Sequence, residues 1–479
     1  MKRRRTATSP SQAAPPLGPA GEADASPNAG PAVSRKVRRG IVVGIVALAM
    51  AVRVFVLVAW CDKPIPVETS VVMAQAGELR IALDPAGLEP LAGEEGECRT
   101  HVSRWFCGYR TPPLFSGLIG LAVRASECVV PYREVYDPDG EMDRPIAGIT
   151  EMQRMWRLRA AAYVLAFLGG LWLLRPAWLI LRRCGNESAA LAGLAFIAVL
   201  PCAVEASARP LADTVFAGLF LYAVAMLLGG VIERSFDAIV NSGLLIGVAF
   251  LTRAEALLLL PIGVLLLIVA AIVKRMAWGW AIGTAVLFLL AAAVLAGPYV
   301  KVVSENQKQF TIGRNAGDEF LHEIGLLKAA RAPDEGPAAA EAADTRVHQA
   351  VRQWPSYFVK NLFDRASRML GYAGMLFVVT GLFFCWRSFF RWSVWPLATL
   401  VFVLLAAMLA VFPPSERLLL PPVLLLSPPM GLGAAMLAAE LVSRRSSQGP
   451  PGSPRAIAWI VGACVMTVLA ATVVGVISG

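Results

Sequence analysis

Long apolar runs alternate along the chain with short basic turns and two long polar segments. The runs approach the ~20 residues that an α-helix needs to cross the hydrocarbon core of a bilayer. The expected fold class is therefore all-α, a polytopic bundle of transmembrane helices. The pattern predicts about eleven helices, at residues 41–60, 159–181, 188–204, 211–232, 238–252, 256–273, 277–297, 370–386, 393–412, 418–438 and 456–477.

Basic residues between the runs indicate the orientation of the bundle. With a cytoplasmic N-terminus, every predicted cytoplasmic turn contains Arg or Lys, as the positive-inside rule requires. Counting 113–131 as another crossing would invert several of these turns. Residues 109–124 (YRTPPLFSGLIGLAVR) are therefore predicted to lie along the membrane surface.

The domain boundaries follow from this topology. The tail 1–40 is rich in Pro, Ala, Gly and Ser and basic at both ends, and it is expected to be disordered on the cytoplasmic side. The other predicted units are the first transmembrane helix 41–60, an extracytoplasmic loop with membrane-surface helices 61–158, a transmembrane helix bundle 159–297, a second extracytoplasmic loop 298–369 and the C-terminal transmembrane helices 370–479.

Composition agrees with a membrane protein. Of the 479 residues, 57% are hydrophobic and 16% charged, too few charges to cover a soluble domain of this size. The net charge of +10 lies in short clusters between the runs, so it indicates orientation rather than nucleic-acid binding. Cys98 and Cys107 could form a disulfide in an extracytoplasmic loop or remain free thiols, and the sequence leaves both open.

Glu68 is the first candidate for chemistry. It lies a few residues beyond the first apolar run, in residues 64–79 (PIPVETSVVMAQAGEL). A carboxylate there could be a general base that takes a proton from an acceptor hydroxyl or amine. The alternative is a solvated loop carboxylate, which is the interpretation given to Glu78 and the acidic residues after it.

Charged residues at the predicted outer helix ends form a second group, because polar groups at membrane depth are costly. Arg209 and Asp213 are four residues apart, which would place them on one helix face. They could be a structural ion pair, or an arginine oriented towards a phosphate. Arg253 and Glu255 lie in a tight turn, and Arg417 precedes a late helix. These arginines could bind a lipid-linked phosphate or snorkel to the interface.

The two long loops contain the remaining candidates, Arg110, Asp318 and His322. Asp318 and His322 could hydrogen-bond on one helix face, with a solvated surface helix as the alternative. The three histidines are too scattered for a zinc site, so no metal site is predicted. No P-loop, dinucleotide-binding glycine pattern or GxSxG elbow is present, so nucleotide hydrolysis has no support.

The order of these pieces resembles the GT-C membrane glycosyltransferases. In particular, it is similar to the family 39-like bacterial relatives of dolichyl-phosphate-mannose protein mannosyltransferases and of the lipid A aminoarabinose transferase. The segments that carry the resemblance are Glu68, the PPL segment 112–114, Pro201 followed by Arg209-x-x-x-Asp213, residues 243–261 (GLLIGVAFLTRAEALLLLP) and residues 415–426 (SERLLLPPVLLL).

The resemblance implies transfer of a sugar, with inversion, from a polyprenyl-phosphate-linked donor to an extracytoplasmic protein, lipid or glycan acceptor. Glu68 would be the catalytic base. The donor phosphate would be bound by Arg209, Asp213, Arg253, Glu255 and Arg417. The site would face outward from a bacterial inner or plasma membrane, with no certain cofactor and no nucleic-acid partner. The alternatives are a transporter or flippase of a lipid-linked intermediate and a non-catalytic lipid-binding relative.

Overall fold

The computed structural model describes residues 35–60, 67–83, 101–103, 105–106, 112–129, 147–183, 187–273, 275–307, 368–370, 374–383, 420–445 and 462. Every regular element within these ranges is helical. The predicted all-α class is thus confirmed for the part of the chain that the structure describes.

The helices follow one another with short connections through the middle of the chain. Their bounds are α1 (Arg35–Trp60), α2 (Val67–Ala82), α3 (His101–Ser103), α4 (Pro113–Val129), α5 (Ala147–Trp172), α6 (Leu174–Arg183), α7 (Glu187–Val199), α8 (Pro201–Ala208), α9 (Asp213–Glu233), α10 (Phe236–Phe250), α11 (Leu259–Ile272), α12 (Trp278–Gln307), α13 (Gly374–Phe383), α14 (Leu420–Leu424) and α15 (Ser427–Arg445). A 3₁₀ helix (Ala254–Leu258) connects α10 to α11.

The protein is an integral membrane protein by the length and composition of its helices. Within the described ranges, six segments are long and apolar enough to cross a bilayer: Lys36–Ala59, Met152–Arg183, Asp213–Glu233, Ala254–Ile272, Trp278–Glu305 and Leu420–Ala438. The pair α7 and α8, bent by 45°, provides a seventh if it forms one span. The predicted helices at 393–412 and 456–477 lie wholly or almost wholly outside the described residues, so the number eleven stays a prediction.

The span predicted at 188–204 is not one straight helix. It breaks at Leu200, whose backbone is extended, and Pro201 begins α8. Proline has no amide hydrogen and its ring displaces the preceding carbonyls, so it suits the first position of a helix better than the interior. The break leaves the last carbonyl groups of α7 without partners in their own helix.

Small residues bring α10 and α12 together. A Cβ atom placed on Gly243 would overlap the Phe288 carbonyl oxygen, and one on Gly247 would lie 2.8 Å from that of Ala292. Any side chain at either position would push the two backbones apart. The glycines of the 243–261 segment therefore have a packing role.

A smaller assembly of α2 and α4 packs beside the bundle. Its apolar contacts include Met73 on α2 and Phe115 and Ile119 on α4, and the cluster extends to α5. Glu127 accepts hydrogen bonds from Arg80 at 2.8 Å and Arg124 at 3.3 Å, so this buried carboxylate is neutralised by two cations. The predicted surface segment 109–124 thus becomes helical from Pro113 onward.

One backbone hydrogen bond connects this assembly to the end of α10. The amide of Leu114 donates to the carbonyl of Leu251 at 2.8 Å. The PPL segment 112–114 therefore lies against the turn that contains Arg253, which brings together two of the segments that carry the sequence resemblance.

A charged pocket at the junction of α8 and α9

Two turns at one end of the bundle bring the central ion pair together. Asp213 is the first residue of α9, and Arg253 has an extended backbone between α10 and the 3₁₀ helix. Since α9 and α10 are consecutive packed helices, the start of α9 and the end of α10 lie side by side. The Arg253 Nη1 is 2.5 Å from Asp213 Oδ1, and the two side chains are 18% and 7% exposed.

Arg253 has a second carboxylate partner and an aromatic neighbour. Its Nη2 lies 3.3 Å from Glu255 Oε1, and its guanidinium lies 5.6 Å from the centre of the Phe216 ring. Burial on its own would lower the pKa of Arg253, but the charges of Glu255 and Asp213, with their hydrogen bonds, raise that pKa on balance. Arg253 is therefore a permanently charged and well-neutralised cation.

An open pocket lies next to this ion pair, with a volume of about 530 Å³ that includes space open to solvent. The lining residues are Pro201, Cys202, Glu205, Ala206, Arg209, Asp213, Arg368, Met369 and Leu420. Positions 202, 205, 206 and 209 recur at helical spacing, so one face of α8 forms the wall. Two arginines, Arg209 and Arg368, are among the lining residues.

Arg53 holds the opposite face of α8. This α1 residue is only 1% exposed. Its Nε donates to Ser207 Oγ at 3.1 Å, and its Nη1 donates to the carbonyl of Ala198 at 2.8 Å. Ala198 lies in the last turn of α7, where the break at Pro201 frees carbonyl groups. Arg53 thus supplies a donor to one carbonyl at the end of α7 and, through Ser207, helps to fix the orientation of α8 towards the pocket.

The prediction that Arg209 and Asp213 share one helix face is wrong. Arg209 is the extended C-terminal cap of α8, Pro210 follows it, and Asp213 begins the next helix. Arg209 instead pairs with Glu205, one turn earlier in α8, while Asp213 pairs with Arg253. Arg209 and Asp213 nevertheless line the same pocket.

Other predicted site residues lie outside what the structure describes. These are Arg110, Asp318, His322 and Arg417, together with Cys98 and Cys107. The backbone of Glu68 lies in the first turn of α2, but its side chain is outside the described part. Their proposed roles stay predictions.

Sequence reasoning missed three charged residues of this region. Glu205 could have been found, because it is an acidic residue in an apolar run and lies four positions before Arg209. Arg53 could have been found in the same way, because it is a charged residue within the first apolar run. Arg368 follows a long polar segment, and no local pattern indicates its return to the pocket.

Glu78 also differs from its predicted solvated state. Its Oε2 lies 2.5 Å from Nδ1 of His101, and both side chains are mostly buried. The pair connects α2 to α3, so this carboxylate has a structural partner in the α2 and α4 assembly.

No cluster of three or more His, Cys, Asp or Glu side chains suited to a metal ion occurs among the described residues. The predicted absence of a metal site stays a prediction for the whole chain.

The helical bundle, the assembly of α2 and α4 and the charged junction belong to an integral membrane protein, and its fold agrees with the GT-C-like fold that the sequence resemblance predicts. The fold is similar to that of ArnT from Cupriavidus metallidurans bound to undecaprenyl phosphate, at a TM-score of 0.52. The match is 16% identical in sequence and covers 92% of this chain and 73% of that one.

A second similarity is to the oligosaccharyltransferase of Archaeoglobus fulgidus in complex with zinc and sulfate. It has 14% identity and a TM-score of 0.44, and it covers 84% of this chain and 52% of that chain. The present chain thus spans about half the length of that protein. At 16% identity the similarity to ArnT shows the fold alone. No protein-family model and no curated protein sequence matches the chain.

Proposed function

We propose that this protein is a glycosyltransferase that moves a sugar from a polyprenyl-phosphate donor to an extracytoplasmic acceptor. The observation that carries the proposal is the pocket lined by Arg209 and Arg368, at the end of apolar spans and beside the Arg253 ion pair. Guanidinium groups match the geometry and charge of a phosphate. The fold shared with ArnT, a protein solved with undecaprenyl phosphate, supports this choice of ligand.

The proposed reaction is a single displacement with inversion. Glu68 takes the proton of the acceptor hydroxyl or amine while the acceptor atom bonds to C1 of the sugar. The bond between C1 and the phosphate oxygen breaks, and its electron pair leaves with the polyprenyl phosphate. Arg209 and Arg368 stabilise the charge that grows on this leaving group.

The remaining candidates have supporting roles in the proposal. Arg253 and Glu255 hold Asp213 in the pocket wall, so they shape the phosphate site rather than contact the ligand. Arg417 precedes the pocket residue Leu420 by three positions, which supports its placement on the phosphate side. Arg110, Asp318 and His322 are proposed to contact the acceptor from the two long loops.

Transport of a lipid-linked intermediate is the second candidate. The bent pair α7 and α8 and the buried cation Arg53 favour it, since transporters place charges and broken helices within the membrane. The charged pocket at a helix end favours transfer chemistry instead.

The test uses purified protein in detergent with short-chain polyprenyl-phosphate donors that carry radiolabelled hexoses or pentoses. We expect transfer to a membrane acceptor fraction by the wild type, no transfer by Glu68→Gln, and a raised donor KM in Arg209→Gln and Arg368→Gln. Unchanged transfer by Glu68→Gln would overturn its role as base. If the protein moves the donor across liposome membranes but transfers no sugar, the glycosyltransferase proposal is overturned in favour of the transporter.

A further inference from the structure

The two predicted phosphate-binding arginines that the structure describes differ in how firmly they are engaged. Arg253 has two carboxylate partners, and both its side chain and that of Asp213 are largely buried. A ligand would have to break a buried ion pair to reach it, which is costly. Arg209 has an ion pair with Glu205, and these side chains are 32% and 36% exposed. Ion pairs this exposed contribute little to stability and exchange easily.

Glu205 and Arg209 both face the pocket. They occupy the same face of α8, and both line the cavity together with Arg368. The opposite face of α8 is held by Ser207 through its hydrogen bond with Arg53. This contact favours the orientation of α8 in which Glu205 faces the pocket, so an anion that enters the pocket meets a cation already paired with a carboxylate.

We infer that Glu205 is an internal competitor of the lipid phosphate for Arg209, and so sets the affinity of the pocket. This inference rests on the proposed function and adds a residue that regulates the same site. When a phosphate binds, Arg209 exchanges Glu205 for the ligand. When the phosphate leaves, Glu205 returns to Arg209.

The competition matters most after transfer. The donor is a phosphodiester with one negative charge, whereas the released polyprenyl phosphate is a monoester with a charge of about −1.5 to −2 near pH 7. The product would therefore bind the two arginines more tightly than the donor does. A carboxylate that competes for Arg209 weakens this product complex and favours release.

The experiment measures binding of farnesyl phosphate to the full-length protein in detergent by calorimetry, with farnesol as the ligand that lacks phosphate. We expect Glu205→Gln to lower the Kd for farnesyl phosphate about threefold to fivefold, the worth of an exposed ion pair. Farnesol binding should not change. The matched control is Glu233→Gln, which removes a carboxylate from another partly exposed ion pair, with Arg183 at 3.1 Å, and should leave the Kd unchanged.

A double-mutant cycle separates competition for Arg209 from simple repulsion of the ligand. If Glu205 acts by holding Arg209, the gain from Glu205→Gln disappears in the Arg209→Gln background. If the full gain persists there, or if Glu205→Gln does not tighten binding, the inference is overturned. If neither Arg209→Gln nor Arg368→Gln weakens binding of farnesyl phosphate, the phosphate site itself is wrong, and the proposed function loses its support.

Discussion

The guanidinium of Arg253 lies 2.5 Å from the carboxylate of Asp213, although 40 residues separate them. The contact joins the first turn of α9 to the segment after α10. Its position beside the pocket means that the same pair stabilises the helix junction and shapes the pocket wall. The charged residues around this pair differ in how deeply they are buried, so we expect their substitutions to affect stability to different extents.

Removal of one partner from the buried pair should destabilise the fold. We expect Asp213→Asn to cost about 2 kcal/mol, because Arg253 loses a charged partner in a largely buried place. Arg253→Gln combined with Asp213→Asn should cost less than the sum of the single changes. Thermal unfolding in detergent measures both. Glu305→Gln, which breaks the exposed pair with Lys301, is the control and should change little; an equal loss there would contradict the role of burial.

The contribution of Arg253 to the stability of the fold should stay constant as the pH rises into the alkaline range. Its pKa is raised above the ordinary arginine value by Glu255 and Asp213, despite burial. A raised pKa means that the stabilisation is complete below the ordinary value and is lost only as the pH rises above it. The difference in melting temperature between the wild type and Arg253→Gln should therefore stay constant from about pH 7 to about pH 10. A difference that shrinks over this range would contradict a permanently charged Arg253.

Arg53 should control the order of α8. We expect Arg53→Gln to destabilise the protein by about 2 kcal/mol or more, because the buried acceptors on α7 and α8 lose their donor. Ser207→Ala should cost about 1 kcal/mol, because Arg53 Nε loses its acceptor and the carbonyl of Ala203 loses its donor. Looser packing of α8 should also speed the alkylation of Cys202, which lines the pocket. Mass spectrometry of the peptide that contains Cys202 gives the rate. An unchanged rate in a destabilised Arg53→Gln protein would show that Arg53 does not hold α8.

The glycines of α10 offer a packing test. Gly243→Ala places a methyl group against the backbone of α12, and we expect a loss of about 1–3 kcal/mol from overpacking. Gly283 on α12 is the matched control, because a Cβ atom there meets nothing within 4 Å. Gly283→Ala should stay within about 1 kcal/mol of the wild type. Similar losses in the two variants would point to backbone flexibility rather than contact between α10 and α12.

The sequence predicts helices better than it predicts ion pairs. The run 211–232 agrees closely with α9, because the length of the apolar run defines that helix locally. Pro201 was visible, but a proline suits either the first turn of a helix or a kink, so the break before α8 was missed. The four-residue spacing suggests an ion pair between Arg209 and Asp213. In the structure Arg209 pairs with Glu205 and Asp213 pairs with Arg253. The cost of a buried charge shows that a partner is needed, but only tertiary structure decides which residue supplies it.

Arg53 also has a consequence for the order in which the chain enters the membrane. Its acceptors on other helices, Ala198 and Ser207, lie 145 and 154 residues further along, so α1 leaves the ribosome long before they are synthesised. An arginine at the centre of an inserting helix costs about 2.5–3.5 kcal/mol, which the apolar residues around it must offset. Until its acceptors arrive, the side chain is best placed extended towards the lipid headgroups. Insertion of α7 and α8 then brings these acceptors to Arg53, and we expect its side chain to take its buried position only after both helices have entered the membrane.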